Sequence, residues 1–422
     1  MIRTCKVKLG RAPKQESRIS LALKLCCAVY NAALQQRVEA WKKQRISLSY
    51  YDQCKGLTEL RADDEDYRRI PADLVRVTSL FRLEKSFRAF VAKKRLGIKV
   101  GFPRYKKDSN FKTLIFGKQH WKIDGRFLIL SVDKVPMKFK MKGSLHRQGS
   151  IKGLQIVQHL DRLWAHFQVD IGPAPEVRNP CRGVGIDLGL KTFATLSDGN
   201  TIENPRFLLQ SLEKLKDLQQ VVSRKKVGSK NRGRARLKLA RAYETVKNKR
   251  RNFVYQSVAL LAGAYNGFAL ERLGMQPLIS KSPRGSKDSK TPAFRRSIKD
   301  AAWSLFGACL ENKAEEAGFP VVRVNPRGTS QRCSSCGTLV RKTLRTRIHE
   351  CPACGLVLDR DENAARNILF LAEDLGWRSA SGSLVRTVLN QKRGGPLAAP
   401  KRKMNTTTAE TSNNCSQLDT VG

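Results

Sequence analysis

Two cysteine pairs near the carboxyl end of the chain restrict its fold more than any other feature. They are Cys333-Ser-Ser-Cys336 and Cys351-Pro-Ala-Cys354, and 14 residues separate them. Thiolates at C-x2-C spacing, repeated after a short spacer, can close a tetrahedral site around zinc. Disulfides are the alternative, but the chain has 11 cysteines, an odd number, and the other seven are scattered. The pattern therefore predicts a structural Zn²⁺ bound by these four cysteines.

Three acidic residues at distant positions are candidates for a second metal site. Asp187 ends the apolar run Gly183-Val-Gly-Ile, Glu271 ends Gly267-Phe-Ala-Leu, and Asp361 lies in the segment Asp359-Arg-Asp-Glu-Asn directly after the cysteines. A cluster of carboxylates can hold two divalent cations on either side of a scissile phosphate. We therefore expect these three residues to bind two Mg²⁺, with Mn²⁺ as an alternative, and to catalyse phosphodiester hydrolysis.

Each of these acids also has a structural interpretation. Asp187 is at a position where a turn residue often ends a strand, and an exposed glutamate such as Glu271 is common at a strand terminus. Asp361 has neighbours, Asp359 and Glu362, that suit a helix amino terminus equally well. Gly185 and Gly189 flank Asp187, and we expect them to leave room for a nucleic-acid backbone.

The net charge points to a polyanionic partner. The chain has 81 Lys and Arg against 36 Asp and Glu, a formal charge of +45. Such a charge would make the compact state repel itself unless a polyanion such as nucleic acid neutralised it. No apolar run approaches the roughly 18 residues of a membrane span, and the amino terminus lacks the apolar core of a signal peptide. We expect no membrane partner and a cytoplasmic location.

The most one-sided charge run covers residues 224 to 251, with thirteen Lys or Arg and one acid, Glu244. A solvated helix surface is the simplest reading of a charge run. This run has too few acids for salt bridges along a helix, which favours phosphate contact. The candidate contacts are Arg224, Lys225, Lys226, Lys247, Lys249, Arg250 and Arg251.

Periodicity divides the chain into helical and β segments. Residues 11–96 read as helices, with Leu21, Leu25, Val29 and Ala32 on one face of the first. Residues 97–172 contain short alternating runs separated by Gly, Pro or Asp turns, which is typical of an antiparallel β unit. The Pro-rich stretch at 173–181 reads as a linker.

The second half alternates strands and helices, which predicts an α/β domain. Strand-like runs occur at Gly183–Asp187, Thr192–Leu196, Gly267–Glu271 and Val321–Asn325, and a helix is expected from Asp300 to Leu310. The stretch from Gly274 to Pro292 reads as a mobile loop that closes over the site. Residues 378–422 have little to bury and read as a disordered tail.

The motifs that carry these candidates resemble those of the TnpB family of transposon-encoded RNA-guided DNA endonucleases, which is related to miniature type V CRISPR effectors. The resemblance extends from about Gly183 to Leu371, with GFPRYKKD at 101–108 as a further match. In chain order the matching segments are GIDLGLKTFATLSDG, VKNKRRNF, FALERL, RRSIKDAAWSLF, VNPRGTSQRCSSCG and CPACGLVLDRDENAARNI.

The resemblance implies a multidomain α/β architecture. A ribonuclease-H-like (RuvC) nuclease domain would cover 182–327 and 356–377, interrupted by a zinc ribbon at 328–355. A β-barrel wedge domain would cover 1–10 and 97–172, with a helical recognition lobe inserted at 11–96. The resemblance also implies that the catalytic acids are Asp187, Glu271 and Asp361, the last being the second aspartate of Asp-Arg-Asp.

The partners implied by the resemblance are a guide RNA and double-stranded target DNA, the latter recognised through a short flanking motif. Three other functions stay open at this point. The chain could be a miniature CRISPR effector, a guided DNA-binding repressor without cleavage, or a transposase that acts without RNA. All three acids are present, whereas a repressor would be expected to have lost one or more.

Overall fold

The computed structural model describes residues 1–133, 135–178, 180, 182–274, 292–343 and 346–374. The loop expected between Gly274 and Pro292 falls on residues 275–291 and lies outside the described residues, as does the expected tail from residue 378. The chain forms two compact units, Met1–Pro173 and Ala174–Gly422. Within the described ranges, no helix is both long and apolar enough to cross a membrane.

The amino-terminal unit contains one antiparallel sheet. Its strands are β1 (Ile2–Leu9), β2 (Thr113–Phe116), β3 (Trp121–Asp124), β4 (Phe127–Ser131), β5 (Pro136–Lys142), β6 (Ser150–His159) and β7 (Arg162–Asp170). The strand order is β2-β6-β7-β1-β5-β4-β3, so β1 lies in the middle between strands from the far end of the unit. Among the described residues no ladder joins β2 to β3. The expected barrel is therefore present as a seven-stranded antiparallel sheet with two edge strands.

Helices fill the segment between β1 and β2, as periodicity predicted. They are α1 (Pro13–Gln44), α2 (Tyr50–Asp63), α3 (Glu65–Arg69), α4 (Ala72–Val75), a π-helical turn (Arg76–Leu80) and α5 (Phe81–Arg95). The π-helical turn protects the edge of the sheet, because the Thr78 hydroxyl accepts a hydrogen bond of 2.9 Å from the Ile115 amide in β2. Helices and sheet share one apolar core.

The apolar face predicted for α1 was partly correct. Val29 is buried and Leu25 packs against the core, whereas Leu21 and Ala32 are exposed. The buried face is shifted around the helix and also carries Leu23, Cys26 and Tyr30. Cys26 and Cys27 are fully buried thiols.

The carboxyl-terminal unit is built on a five-stranded mixed sheet. Its strands are β8 (Gly183–Leu188), β9 (Thr192–Leu196), β10 (Thr201–Glu203), β11 (Gly267–Glu271) and β12 (Val321–Val324), followed by the hairpin β13 (Ile348–Glu350) and β14 (Val357–Asp359). The order in the large sheet is β10-β9-β8-β11-β12. The first three strands are antiparallel, whereas β8, β11 and β12 run parallel.

Helices cover both faces of this sheet. They are α6 (Phe207–Gln210), α7 (Leu212–Ser223), α8 (Lys230–Ala264), α9 (Pro292–Ala301), α10 (Trp303–Ala317) and α11 (Arg360–Asp374). Phe268 and Leu270 pack with α8 and α10 on one face, and Ala269 packs with Ile368 of α11 on the other. A strand covered on both faces has no polar side, which explains the continuous apolar run before Glu271. The helix expected from Asp300 to Leu310 is divided at Ala302, whose φ is 57°.

Gly185 makes room for a helix of the same chain. A Cβ at Gly185 would lie 2.0 Å from the carbonyl oxygen of Ala365 and 2.8 Å from the amide nitrogen of Leu369, both in α11. A Cβ at Gly189 would lie 2.7 Å from the Thr192 carbonyl oxygen. The expectation that these glycines make room for nucleic acid is therefore corrected, since the chain's own backbone occupies that space.

Replacing Gly185 should destabilise this unit. We expect Gly185→Ala to lower the free energy of unfolding by about 3 kcal/mol or more, because the contact is with backbone that cannot rotate away. Gly263→Ala is the matched control, since Gly263 lies in α8 with nothing within 4 Å of its would-be Cβ. Its stability should stay equal or rise, because alanine favours helix over glycine. Thermal and urea unfolding of both variants would measure this, and equal stabilities would contradict the packing argument.

Candidate active site

The sheet brings Asp187 and Glu271 to the same edge. Leu270 of β11 pairs in parallel register with Ile186 of β8, so the two acids are the next residues of neighbouring strands. Ile186 and Leu270 both face the core formed with α8 and α10. Because side chains alternate along a strand, both acids face the opposite side of the sheet, where α11 packs.

The first turn of α11 supplies the third acid. Oδ1 of Asp359 accepts hydrogen bonds from the amide of Asp361 at 2.8 Å and from the amide of Glu362 at 3.3 Å. Asp359 therefore caps the helix. The Asp361 carboxylate is consequently not needed for capping and lies close enough to Asp187 to perturb its pKa. Asp359 thus caps α11, whereas the Asp361 carboxylate is available for another role.

Glu271 and Asp361 lie close enough to Asp187 for their negative charges to act on it, although among the described residues only the four cysteines bring all their donor atoms within 4.8 Å of one another. Burial raises the pKa of Asp187 to about 8, with further contributions from the negative charges of Glu271 and Asp361. Burial also raises the pKa of Glu271. A carboxyl group surrounded by other carboxylates favours a cation or a proton at the same place.

Glu271 is oriented from the loop that precedes the cysteines. The Thr329 hydroxyl lies 2.5 Å from Oε1 of Glu271, and this contact opposes the rise in pKa that burial causes. The side chain of Thr329 is buried, so the contact is shielded from water. Sequence reasoning missed Thr329, because a lone threonine in a loop carries no pattern.

Arginines hold Asp361. The Arg360 guanidinium contacts Oδ1 of Asp361 through Nε at 3.0 Å and through Nη2 at 2.8 Å. Nη1 of Arg347 lies 3.7 Å from Oδ2 of Asp361. Arg360 also lowers the pKa of Asp187, against the larger effects that raise it. Arg347 was not singled out from the sequence.

The four cysteines predicted to bind zinc form one cluster. Their sulfur atoms all lie within 4.8 Å of one another. The Sγ atoms of Cys333 and Cys354 are 3.6 Å apart, and those of Cys336 and Cys351 are 3.5 Å apart. A tetrahedral site with Zn–S bonds of about 2.3 Å has sulfur atoms roughly 3.8 Å apart, so the donor set fits structural zinc.

The two halves of the cysteine cluster have the same backbone geometry. The Gly337 amide donates to the Cys333 carbonyl and the Gly355 amide to the Cys351 carbonyl, each at 2.9 Å. Both glycines have positive φ, 77° and 72°, which favours glycine at these turns. The clustered ligands among the described residues are the four cysteines and do not include His349.

Two asparagines of α11 attach the cysteine cluster to the acid-bearing helix. Asn363 donates to the Arg332 carbonyl at 2.7 Å and accepts from the Ser334 amide at 2.9 Å. One turn later, Asn367 donates to the carbonyls of Thr329 and Arg332, each at 2.8 Å. Both asparagines are buried. We call this pair the asparagine clamp, and it joins Thr329, the partner of Glu271, to the first cysteine turn.

The basic run shows a mixture of internal contacts and exposed charge. Arg250 is half-buried and contacts Oδ1 of Asp300 through Nε at 3.0 Å, so its expected phosphate contact is replaced by an internal ion pair. Nζ of Lys247 lies 3.5 Å from Glu244. Arg251 lies over the Tyr255 ring, 5.7 Å from its centre. The exposed residues of the set are Arg224, Lys226, Lys247 and Lys249, and Lys225 is partly exposed.

Comparisons with known proteins agree with the motifs. The family model "Cas12f1-like, TNB domain" matches residues 303–368, and "Probable transposase" matches residues 166–280. The chain is 29% identical to a Streptomyces pristinaespiralis protein named "Putative RNA-guided DNA endonuclease", over 91% of this chain and 92% of that one. It is 26% identical to "Putative RNA-guided DNA endonuclease InsQ" of Escherichia coli (strain K12), over 86% and 90% of the two chains.

A further relative comes from the CRISPR systems. The chain is 26% identical to "CRISPR-associated endodeoxyribonuclease Cas12f1" of Sulfoacidibacillus thermotolerans, over 60% of each chain. Together these matches confirm the resemblance to the TnpB family and to its CRISPR relatives.

The raised pKa of Asp187 predicts a pH-dependent stability without divalent cations. Between about pH 4 and pH 8 the folded state keeps a proton that the unfolded state releases, so stability should fall as pH rises, by up to about 1.4 kcal/mol per unit. Asp187→Asn removes this dependence and should be more stable than the parent at pH 8. Urea unfolding of the parent and of Asp187→Asn at pH 5 and pH 8 measures the difference in stability. An equal change in the free energy of unfolding of both proteins between the two pH values would contradict the prediction. Added Mn²⁺ at pH 8 should stabilise the parent more than the variant.

The asparagine clamp predicts a link between α11 and zinc retention. Asn363→Ala leaves the partly buried Ser334 amide without this partner and leaves the Arg332 carbonyl bound to Asn367 alone, which should cost about 1 to 3 kcal/mol. We expect faster zinc release to a chromogenic chelator and a lower unfolding temperature. Asn312→Ala is the control, because Asn312 lies on the exposed side of α10 and donates within its own helix. Unchanged zinc release in Asn363→Ala would show that the clamp does not support the cluster.

Proposed function

We propose that this chain, a relative of the TnpB proteins, is an RNA-guided DNA endonuclease with a single nuclease centre formed by Asp187, Glu271 and Asp361. The observation that supports the proposal is that Asp187 and Glu271 end adjacent parallel strands, and that the charges of Glu271 and Asp361 add to the effect of burial in raising the pKa of Asp187. Structural ion pairs also perturb pKa values, but they pair opposite charges. Here Arg360 and Arg347 contact Asp361, whereas Asp187 and Glu271 lie side by side at the ends of two parallel strands, which favours cation binding.

The topology of the carboxyl-terminal unit supports a ribonuclease-H-like nuclease domain. Three antiparallel strands are followed by two parallel ones in the order β10-β9-β8-β11-β12, with helices on both faces. The cysteine-bearing segment is inserted between β12 and α11. We assign 182–327 and 356–377 to the nuclease domain, 328–355 to the zinc ribbon, 1–10 and 97–172 to the wedge domain, and 11–96 to the recognition lobe.

The donor set fits Mg²⁺ or Mn²⁺, because hard divalent cations prefer carboxylate oxygens. When bound, such cations activate water and stabilise the leaving oxygen of a phosphodiester. Asp187 would lose its proton at this step, Thr329 would keep Glu271 oriented, and Arg360 and Arg347 would release or share Asp361. Buried zinc-linked contacts would hold α11 fixed relative to the strands.

The positive charge of the chain suits both nucleic-acid partners. We propose that base pairing with a guide RNA reads the target sequence, while the protein supplies phosphate contacts and cleavage. With one nuclease centre, the two DNA strands would be cut in turn as unpaired segments. A relative of this kind is expected in the prokaryotic cytoplasm, bound to chromosomal DNA.

A miniature CRISPR effector is the second candidate. The observation that favours it is the similarity to Cas12f1, although that match covers 60% of this chain and the transposon-type relative covers 91%. A guided repressor without cleavage is less favoured, because Asp187, Glu271 and Asp361 are all retained.

The two aspartates of Asp-Arg-Asp allow a matched test of the nuclease centre. We expect Asp361→Asn to reduce Mg²⁺-dependent plasmid cleavage by more than about a hundredfold, because it removes a cation ligand. Asp359→Asn should retain cleavage within about threefold, since asparagine caps a helix as well as aspartate does. The assay uses the full chain co-expressed with its own downstream transcript and a plasmid with a randomised flank.

RNA binding distinguishes a loss of catalysis from a loss of folding in this test. Both variants should retain the RNA that copurifies with the parent chain. Equal loss of cleavage in both variants, or full cleavage by Asp361→Asn, would overturn the assignment of Asp361. Absence of any discrete bound RNA from the active parent would favour a transposase that acts without a guide.

A further inference from the structure

A cavity of about 510 Å³ in the amino-terminal unit is surrounded by positive charge. We call it the basic pocket, and the residues that line it are Arg82, Arg104, Tyr105, Lys106, Lys107, Asn110 and Phe111. Four of these carry a positive charge, and none of the lining residues is acidic. Asp108, the nearest acid in the sequence, faces the thiol of Cys27. The pocket therefore brings four positively charged side chains together, and no acidic side chain lines it.

Arg82 forms the floor of the basic pocket. Its guanidinium carbon lies 4.8 Å from the centre of the Phe111 ring, and Nη2 is 3.5 Å from the Thr113 carbonyl. Burial lowers the pKa of Arg82, which means that its charged form is poorly solvated there. Among the described residues, the groups whose charges raise the pKa of Arg82 are Cys26, Tyr30 and Cys27, and none of them is a carboxylate. A guanidinium with unused donors that open into a cavity is suited to an anion.

The segment that carries Arg104, Lys106 and Lys107 is fixed by contacts with α1 and α5. Asn31 of α1 donates to the Lys106 carbonyl at 2.9 Å and accepts from the Lys106 amide at 2.8 Å. Phe102 packs edge-on against Phe87 and Phe90, with ring centres 5.4 Å apart in both pairs. The segment has no regular secondary structure between Gly101 and Lys107, yet it is fixed at several points. Such fixing reduces the entropy that a ligand must remove on binding.

We propose that the basic pocket binds one nucleotide of a single-stranded nucleic acid, with its phosphate on Arg82 and Arg104 and its base stacked on Tyr105. Arginine matches phosphate geometry through two parallel hydrogen bonds, and an exposed tyrosine ring offers a stacking surface. Tyr105 is 57% exposed, so its ring is available to a base. Stacking requires an unpaired base, which excludes the interior of a duplex as the preferred ligand.

The proposal adds a nucleotide-binding site to the proposed function. It rests on that function only for the source of the bound strand, a guide RNA or a displaced DNA strand. Both a guide RNA and a displaced DNA strand offer the same phosphate and the same stackable base. The experiment therefore uses three labelled probes: a ten-nucleotide oligouridine RNA, a ten-nucleotide oligothymidine DNA, and a duplex DNA of equal length. Fluorescence anisotropy with the full chain at several salt concentrations gives the dissociation constant and its salt dependence for each probe.

Charge-matched variants separate the pocket from the general positive charge. One variant carries Arg104→Gln, Lys106→Gln and Lys107→Gln, and its control carries Lys93→Gln, Lys94→Gln and Arg95→Gln on the exposed end of α5. We expect the pocket variant to weaken single-strand binding about tenfold and to reduce the salt slope by about 0.7, since the pocket holds one phosphate and each phosphate contact contributes about 0.7. The control should change both quantities less than half as much.

Tyr105 tests stacking apart from charge. Tyr105→Ala should weaken binding of both single strands by roughly tenfold and leave duplex binding unchanged, whereas Tyr105→Phe should bind like the parent. Tyr51→Ala, at another exposed tyrosine of the same unit, is the control. A larger loss with RNA than with DNA identifies RNA as the occupant, and the reverse identifies DNA.

Two results would overturn the proposal. One is equal behaviour of the pocket variant and its control, and the other is a loss with Tyr105→Ala that is as large for duplex as for single strands. Irradiation of the chain with 4-thiouridine RNA should place a crosslink in the peptide that contains Tyr105. Because these readouts need no cleavage, a failed pocket and a failed nuclease assignment are distinguishable.

Discussion

Repulsion between like charges is the constraint on which the carboxyl-terminal unit depends. Asp187 and Glu271 end adjacent parallel strands, and Asp361 begins the helix that crosses them. Carboxylates in a partly dry site would separate if their backbones could move. The sheet prevents this, because β8 and β11 are held by a ladder and α11 touches β8 at Gly185 with no side chain between them. The close packing at Gly185 therefore fixes α11, which carries Asp361, against β8, which carries Asp187.

The same constraint explains why the cysteine pairs precede the acidic segment in the sequence. Asn363 and Asn367 bind the backbone of Arg332, one residue before the first cysteine, and Asn367 also binds Thr329. Thr329 in turn contacts Glu271. A metal that fixes the cysteine turns thereby fixes both the helix that carries Asp361 and the hydroxyl that orients Glu271. Zinc bound at the cysteine cluster would therefore fix the positions of Glu271 and Asp361 through hydrogen bonds that the described residues already make.

The sequence predicted the features that depend on local chemistry. Cysteine spacing identified the cluster, and apolar runs ending in an acid located β8 and β11. Features that depend on packing were not predictable. On the face predicted for α1, Leu21 and Ala32 are exposed although Val29 is buried, because tertiary contacts shifted the buried face around the helix. Gly185 suggested access for nucleic acid but accommodates α11. Thr329 is a loop residue whose importance follows from its distance to Glu271. A single sequence shows which groups exist, but contacts across 58 residues of chain require the fold.

Each unit brings together described side chains of one charge sign, acidic in the carboxyl-terminal unit and basic in the amino-terminal unit. In the carboxyl-terminal unit, burial and neighbouring acids leave Asp187 protonated near neutral pH unless a cation is present. In the amino-terminal unit, no acidic residue is among the described residues that line the pocket with Arg82. Each cluster of like charges lowers the stability of the free chain. Divalent cations would relieve the repulsion in the carboxyl-terminal unit, and nucleic-acid phosphates would relieve it in the amino-terminal unit. Such a chain gains stability when its ligands bind, because ligands that bind only the folded state shift the folding equilibrium. The free protein is therefore expected to be the least stable member of its own reaction cycle.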